Sequence, residues 1–486
     1  MRKALLIFVL IYSTSFQIKA HETWVHELII KTAFLKLQSM YQLSGGDTLD
    51  LMEMKNMIFN VNNENINYEN NFNNKDIWTA PYSIIAGAYT EDYYDPIYDY
   101  SLLKYGGAEP VLSHFWNADM GNEYKSSFQY YPFGVYDNSY LKALKYTLGA
   151  DYNMIDNTEN LTNGSYLAYK ASIPNIIEFY KTGDANIKGY YILQNDNYKF
   201  VSKQQSNVYD IQKRKQIAYN VLGRLLHLLG DLSIPAHVHI QEHPCVFGIS
   251  DYYELWVAGT DCDRNQPTNY PAIKYANKYQ NKLGDNLLSI IDFVNNNDNN
   301  TEIIHHLFYV MAQLSDMFYS GGNGIISPNI KGNYEKINSY DAYLDSIYLN
   351  VKIPNPKSIN QEYAELIADN TFEYCINASA SLLYWFGKET NQLNTQINTN
   401  ITNAHVKTEP KFIINYETPY LTVDGLKNNN GSNLFFKLND VYGRTLFYDK
   451  INSTSNRIYI PNLKTGIYIY SIYNNSALLT SKCKIF

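Results

Sequence analysis

The chain has 486 residues, 45% of them hydrophobic and 18% charged, with a formal net charge of −8 at neutral pH. That length allows a sizeable buried core and more than one domain. The acidic balance argues against a surface built for nucleic acid, which carries a basic stripe. After the first 20 residues, no run approaches the roughly 18 consecutive apolar residues of a membrane-spanning helix.

Residues 1–20 read as a secretory signal: Arg2 and Lys3, an apolar run from Ala4 to Tyr12, and a polar stretch ending at Ala20. Helical periodicity then dominates. It predicts helices over 23–40, with Leu28, Ala33, Leu35 and Leu37 among polar residues, and over 209–230, with Ile217, Val221, Leu225 and Leu228. Similar patterns recur at 272–294, 302–320 and 361–386, between loops rich in Asn, Asp and Tyr at 59–76 and 185–210. Four cysteines, Cys245, Cys262, Cys375 and Cys483, accompany the export signal, and Cys245 and Cys262 are either a disulfide or two free thiols. Residues 390–409 lack periodicity and read as a linker, and residues 411–486 alternate as short strands, for example Leu434–Leu438, Arg457–Ile460 and Gly466–Tyr473. The fold class expected is therefore mainly α, a multi-helix domain over 21–389 followed by a small all-β sandwich module.

Three of the ten histidines fall between Gly223 and His239. His227 and Asp231 are four apart, so on a helix they share a face and both reach one ion. Pro235 cannot continue that helix, and the turn it forces brings His237 back toward the pair. Imidazole nitrogen with carboxylate oxygen and no thiolate suits zinc in a catalytic site. His305 and His306, on an apolar helix, read as core residues, and His405 as an exposed linker residue.

The run His227-x-x-x-Asp231-x-x-x-x-x-His237, with Pro235 two before its last residue, resembles the zinc-dependent phospholipase C family, whose relatives include single-strand-specific zinc nucleases. Ser113-His114-Phe115-Trp116-Asn117-Ala118-Asp119 is similar to the family segment carrying another zinc histidine, and Gly87 to Tyr93 to the segment supplying an aspartate, here Asp92. The resemblance implies a helical enzyme with three zinc ions in a cleft. One ion would be held by Asp92, His114, His227 and Asp231. A second would take the amino end of His21, exposed by cleavage after Ala20, with His26 and a bridging Asp231. The family more often begins with tryptophan, so His21 is a departure. The third would take His237 with partners among Asp251, Glu254, His239 and His243, Asp251 and Glu254 favoured, because Ser250 stands where the family's histidine would fall.

By the same resemblance, a zinc-activated water would hydrolyse phospholipid at a membrane surface to diacylglycerol and a phosphorylated head group, with Asp92 orienting or deprotonating the water. Nucleic acid is the alternative substrate, and a non-catalytic zinc-stabilised surface protein the alternative class. The carboxy-terminal blocks Asn439 to Arg444, Leu463 to Tyr470 and Lys482 with Lys484 resemble the type IX secretion sorting domain, which implies that export machinery as a partner and a secreted or cell-surface bacterial protein.

Overall fold

The computed structural model describes residues 23–59, 83–92, 113–122, 137–151, 172–173, 175–182, 189–194, 197–202, 211–241, 243, 250–260, 271–280, 282, 285–321, 356 and 358–399, and, toward the carboxyl end, seven strands between 413 and 485. The signal segment, His21, Cys245, Cys262, His405 and most of the 59–76 loop lie outside the described residues. Cys375 is a free, buried thiol.

The helices run in chain order: α1 (Thr23–Leu43), α2 (Met52–Phe59), α3 (Ser83–Thr90), α4 (Ser139–Leu148), α5 (Ile176–Thr182), α6 (Ile211–Asp231), α7 (Pro235–Val238), α8 (Tyr252–Ala258), α9 (Pro271–Tyr279), α10 (Asp285–Asn296), α11 (Asn300–Asp316) and α12 (Gln361–Glu389). The abundant asparagines have a local use here. Asn138, Asn175, Asn299 and Asn360 each accept a hydrogen bond from a backbone N–H in the first turn of α4, α5, α11 and α12 respectively. Such side-chain caps satisfy donors that a helix start leaves open, each worth about 1 kcal/mol.

Helix α12 is the centre of the fold. Every residue from Tyr374 to Gly387 is buried, so no face is left for solvent. It packs against α1, α6, α8, α9, α10 and α11, and the run Ala378-Ser379-Ala380-Ser381 supplies small side chains where neighbours approach.

Helices α3 and α6 meet backbone to backbone. A Cβ on Gly87 of α3 would lie 1.9 Å from the Asn220 carbonyl oxygen, and one on Gly223 of α6 would lie 1.9 Å from the Ile84 carbonyl oxygen. This reciprocal contact needs glycine on both sides. It also sets how far α3 stands from α6, whose last turns and the residue just beyond α3 carry the site.

Beyond the helices, β5 (Ile413–Glu417), β6 (Tyr420–Asp424) and β9 (Arg457–Tyr459) form one antiparallel sheet in the order 5-6-9. Strands β7 (Leu434–Asp440), β8 (Thr445–Ile451), β10 (Ile467–Asn474) and β11 (Ala477–Ile485) form a second, in the order 11-10-7-8. The chain is thus mainly helical with small antiparallel sheets at its carboxyl end.

Three sequence expectations change. The single helix over 272–294 is two, α9 ending at Tyr279 and α10 starting at Asp285. The 185–210 loop contains a hairpin of β3 (Gly189–Gln194) and β4 (Asn197–Ser202), where Tyr191, Leu193, Tyr198 and Phe200 favour a pleated strand. A minor pairing of Ala150–Asp151 (β1) with Ser172–Ile173 (β2) precedes it. Finally, the stretch read as a linker starts packed on the helices: Ile397 is buried, Asn394 N donates to Tyr41 Oη at 2.9 Å, and Asn398 N donates to Ser44 Oγ at 2.9 Å.

Candidate metal centre

Each candidate donor is delivered by a different piece of the fold. His26 comes from the first turn of α1, Asp92 follows the end of α3, and His114 lies in the segment before Trp116. His227 and Asp231 occupy the last turns of α6, which ends before Pro235 as expected; Pro235 then opens the short helix α7 that carries His237. Trp116 N donates to the His237 carbonyl at 3.3 Å, and the Phe115 ring stacks on His237 at 4.6 Å between centroids, so the His114 segment is clamped to α7.

Five of these side chains converge. Asp231 Oδ2 lies 2.8 Å from His114 Nδ1 and 3.2 Å from His227 Nε2, while its Oδ1 lies 3.1 Å from His26 Nε2. Asp92 Oδ1 lies 3.2 Å from His227 Nε2 and 3.5 Å from His114 Nδ1. The His26 and His227 rings stack at 3.9 Å. All five residues are buried. Ligands about 2.0–2.1 Å from a tetrahedral zinc stand about 3.3 Å apart, and these separations scatter around that value.

The chemistry of the donor set agrees. Neither carboxylate oxygen of Asp92 or Asp231, nor either ring nitrogen of His114 or His227, makes a hydrogen bond among the described residues. Buried polar atoms without partners are costly, and lone pairs facing one another within about 3 Å call for a cation. In the metal-free protein, protons serve that purpose. Burial alone would lower His227, but Asp231 and Asp92 outweigh it and raise its pKa well above the ordinary value. Burial would raise Asp231, but His227 and His114 hold it well below the usual carboxylate range. Burial and the neighbouring His227 keep His26 below its ordinary value.

A second group joins His237, His243 and Glu254, whose candidate ligand atoms all lie within 4.8 Å of one another. His237 Nδ1 is 3.3 Å from the His114 carbonyl oxygen and His243 Nδ1 is 2.7 Å from that of Gln241. A carbonyl can only accept, so both rings carry a proton on Nδ1 and direct Nε2 at the group. His243 Nε2 lies 3.1 Å from Glu254 Oε2. Burial depresses His237 to about 3. Burial also opposes charge on His243, yet Glu254 beside it brings it up to about 9; burial lifts Glu254 to about 7 against the pull of His243.

Asp251, favoured from sequence for this group, is not among the three residues whose ligand atoms cluster, though its charge acts on His243 and Glu254. Its Oδ1 accepts from Glu254 N at 2.9 Å, capping α8, and its Oδ2 faces Gly321 N at 3.4 Å. His243 occupies the third position instead. Nothing in the spacing announces it: the chain after α7 turns at Ile240, in the left-handed region at φ 54°, a conformation that a β-branched residue rarely adopts. His239 turns to Asp316, 3.1 Å from its Nε2, and to Ser320, 2.7 Å from its Nδ1. His305 and His306 are buried on α11, the latter stacked on Phe293 at 4.3 Å.

Sequence reasoning also missed a buried charge cluster behind Asp92. Glu91, fully buried, takes Lys142 Nζ at 2.5 Å, Arg224 Nη1 at 2.7 Å and Tyr146 Oη at 2.8 Å. Burial would raise Glu91, but Lys142 and Arg224 bring it down to about 2.

Fold and site together define a helical protein with two adjoining buried His/carboxylate groups of metal-binding composition. No protein-family model matches the chain, and no curated protein does. Among solved structures it is similar to the alpha-toxin of Clostridium perfringens from an avian strain, at 12% identity over 96% of this chain and 97% of that one, with a TM-score of 0.32. It is similar also to the alpha-toxin of Clostridium absonum, at 13% identity over 95% of each chain, with a TM-score of 0.30.

Proposed function

We propose that this chain is an exported zinc-dependent phosphodiesterase of the phospholipase C type, releasing diacylglycerol and a phosphorylated head group. The observation that carries the reading is the convergence of His26, Asp92, His114, His227 and Asp231 at tetrahedral-edge spacing, with buried lone pairs and no thiolate. His114, His227, Asp92 and Asp231 would hold one ion; His26 and the other oxygen of Asp231, with the amino end of His21, a second; His237, His243 and Glu254 a third. Zinc bound at such donors supplies Lewis acidity toward a phosphoryl oxygen and makes water acidic near neutral pH.

The residues of the chain do the rest. The two oxygens of Asp231 face different histidines, so this one carboxylate would serve both donor sets. Asp92 directs Oδ1 at His227 and His114, and its Oδ2, which makes no hydrogen bond among the described residues, is the group to orient an attacking water and take its proton. Among the proposed ligands, the carboxylates of Asp92, Asp231 and Glu254 would carry less negative charge than the ions bring, which supports an anionic substrate such as a phosphodiester. Export by a signal over residues 1–20 and sorting by the carboxy-terminal strands through type IX machinery belong to the same proposal and are supported by their sequence motifs.

The test is paired hydrolysis by the processed protein of phosphatidylcholine dispersions and single-stranded DNA, each with and without a zinc chelator. Chelator-sensitive release of phosphocholine is expected. Chelator-sensitive DNA degradation would reassign the site to a nuclease, and retained zinc with neither activity would make it a binding protein.

A further inference from the structure

Glu91 is adjacent to one candidate ligand and faces another, yet it is directed away from the convergence of donors. Its Oε1 lies 3.8 Å from His114 Nε2, while His114 Nδ1, on the opposite side of the ring, faces Asp231 and Asp92. At that distance the contact is electrostatic rather than a hydrogen bond. With a cation held on the Nδ1 side by Asp231 and Asp92, it would choose the tautomer, because an Nε2–H beside a buried carboxylate is attracted and a lone pair there is repelled. The carboxylate in turn cannot move. Lys142 Nζ holds it and also donates to Ser113 Oγ at 2.8 Å, one residue before His114. Arg224 binds it through Nη1, Thr90 Oγ1 through Nη2 at 3.0 Å, and Asn220 Oδ1 through Nε at 3.1 Å, tying the end of α3 to α6 three residues before His227.

A structural role alone accounts poorly for this arrangement. Buried ion clusters contribute little net stability compared with well-packed apolar residues of the same volume. Placed behind a histidine whose other nitrogen joins a donor group, a fixed carboxylate has a use: it sets ring orientation and raises the basicity of the donating nitrogen.

We infer that Glu91 is a positioning residue for the metal centre, keeping the His114 proton on Nε2 so that Nδ1 presents its lone pair beside Asp92 and Asp231, with Lys142 and Arg224 fixing the carboxylate. The inference rests on the metal-centre reading given above. Its test uses the full-length processed protein, with zinc affinity measured by chelator competition and cobalt(II) substituted for its absorption spectrum. Glu91→Gln should lower affinity at the His114 group about 10–100-fold and alter the cobalt spectrum, leaving the His237 group unchanged. Because Glu91→Gln leaves two buried cations short of a counter-charge, a second variant, Glu91→Gln with Lys142→Met, should regain most of the lost thermal stability while affinity and spectrum stay altered. Wild-type affinity and spectrum in either folded variant would overturn the inference. Wild-type protein that binds no metal would instead overturn the metal-centre reading.

Discussion

Substituting Gly223 by alanine tests whether the α3–α6 contact holds the centre together. The new Cβ would fall 1.9 Å from the Ile84 carbonyl oxygen, and ordinary contact begins at 3.4 Å, so the helices must part by the 1.5 Å difference. The obstacle is backbone, so no side-chain rotation relieves it. Overpacking of this kind costs about 1–3 kcal/mol, offset by up to about 1 kcal/mol from the better helix propensity of alanine. The effect on the centre is larger. His227 Nε2 on α6 and Asp92 Oδ1 beyond α3 are 3.2 Å apart, and a 1.5 Å opening transmitted in full would bring them to about 4.7 Å. Two ligands each about 2.2 Å from one zinc stand no more than about 4.4 Å apart even on opposite sides of it, so one ligand is lost. Chelator-competition titration of zinc, with thermal unfolding in its presence and absence, should show at least one site weakened more than about 100-fold, beyond what loss of an outer partner costs. Gly387→Ala on α12 is the control: the nearest atoms to its Cβ would be the flexible Leu393 side chain, at 3.0 Å and beyond, and zinc binding should be unchanged. Wild-type stoichiometry and affinity in Gly223→Ala would refute the claim that this contact sets the donor spacing.

Asp231→Asn, which removes the charge facing three imidazoles, should abolish most activity and the tightly held zinc while the helical circular dichroism persists; unchanged turnover would disprove the bridging role. In chelated protein, His243 is raised to about 9 and Glu254 to about 7, so the folded form keeps protons that the unfolded chain releases. The stability from His243 is complete below its unfolded value near 6.5 and is lost as pH rises through 9, with Glu254 acting in the same direction from about 4.5 to 7. Denaturant midpoints of metal-free protein should therefore fall between about pH 6.5 and 9, and a flat or rising profile would contradict the pairing. Away from the centre, burial holds His306 down at about 3, so its contribution is lost as pH falls from about 6.5 toward 3. His306→Leu should lose less stability than wild type between pH 7 and pH 4.5, by about 2–3 kcal/mol; equal losses would show that His306 is not held neutral.

The helices bearing the centre were legible because their signals are local. His227 and Asp231 share a helix face by spacing alone, and the break before Pro235 follows from ring chemistry. His26, Asp92 and His114 were reached through family-like segments rather than through physics, since nothing in a sequence shows that residues so far apart will meet. The His243 position depends on a left-handed Ile240 where no glycine marks the turn. Asp251 has a competing use as a helix cap, which its charge and position in the sequence do not show. Glu91, Lys142 and Arg224 look like surface charges in a linear chain, and only the packing of α3, α4 and α6 reveals a buried cluster. The hairpin β3–β4 was hidden by the Asn-rich residues around it.

The pairing of His26 with Asp231 has a topological meaning. These residues are 205 positions apart, and the pairing of Asp92 with His227, 135 apart, lies nested inside that span. Closing a loop of that size costs roughly 2–3 kcal/mol more chain entropy than closing one of ten residues. An ion gripping both pairs therefore acts as a cross-link spanning almost half of the polypeptide. The same nesting imposes an order of events: no donor pair of this kind exists until α6 has been synthesised and folded against α1, so the growing chain offers the emerging amino-terminal segments no finished cage in which to trap a metal.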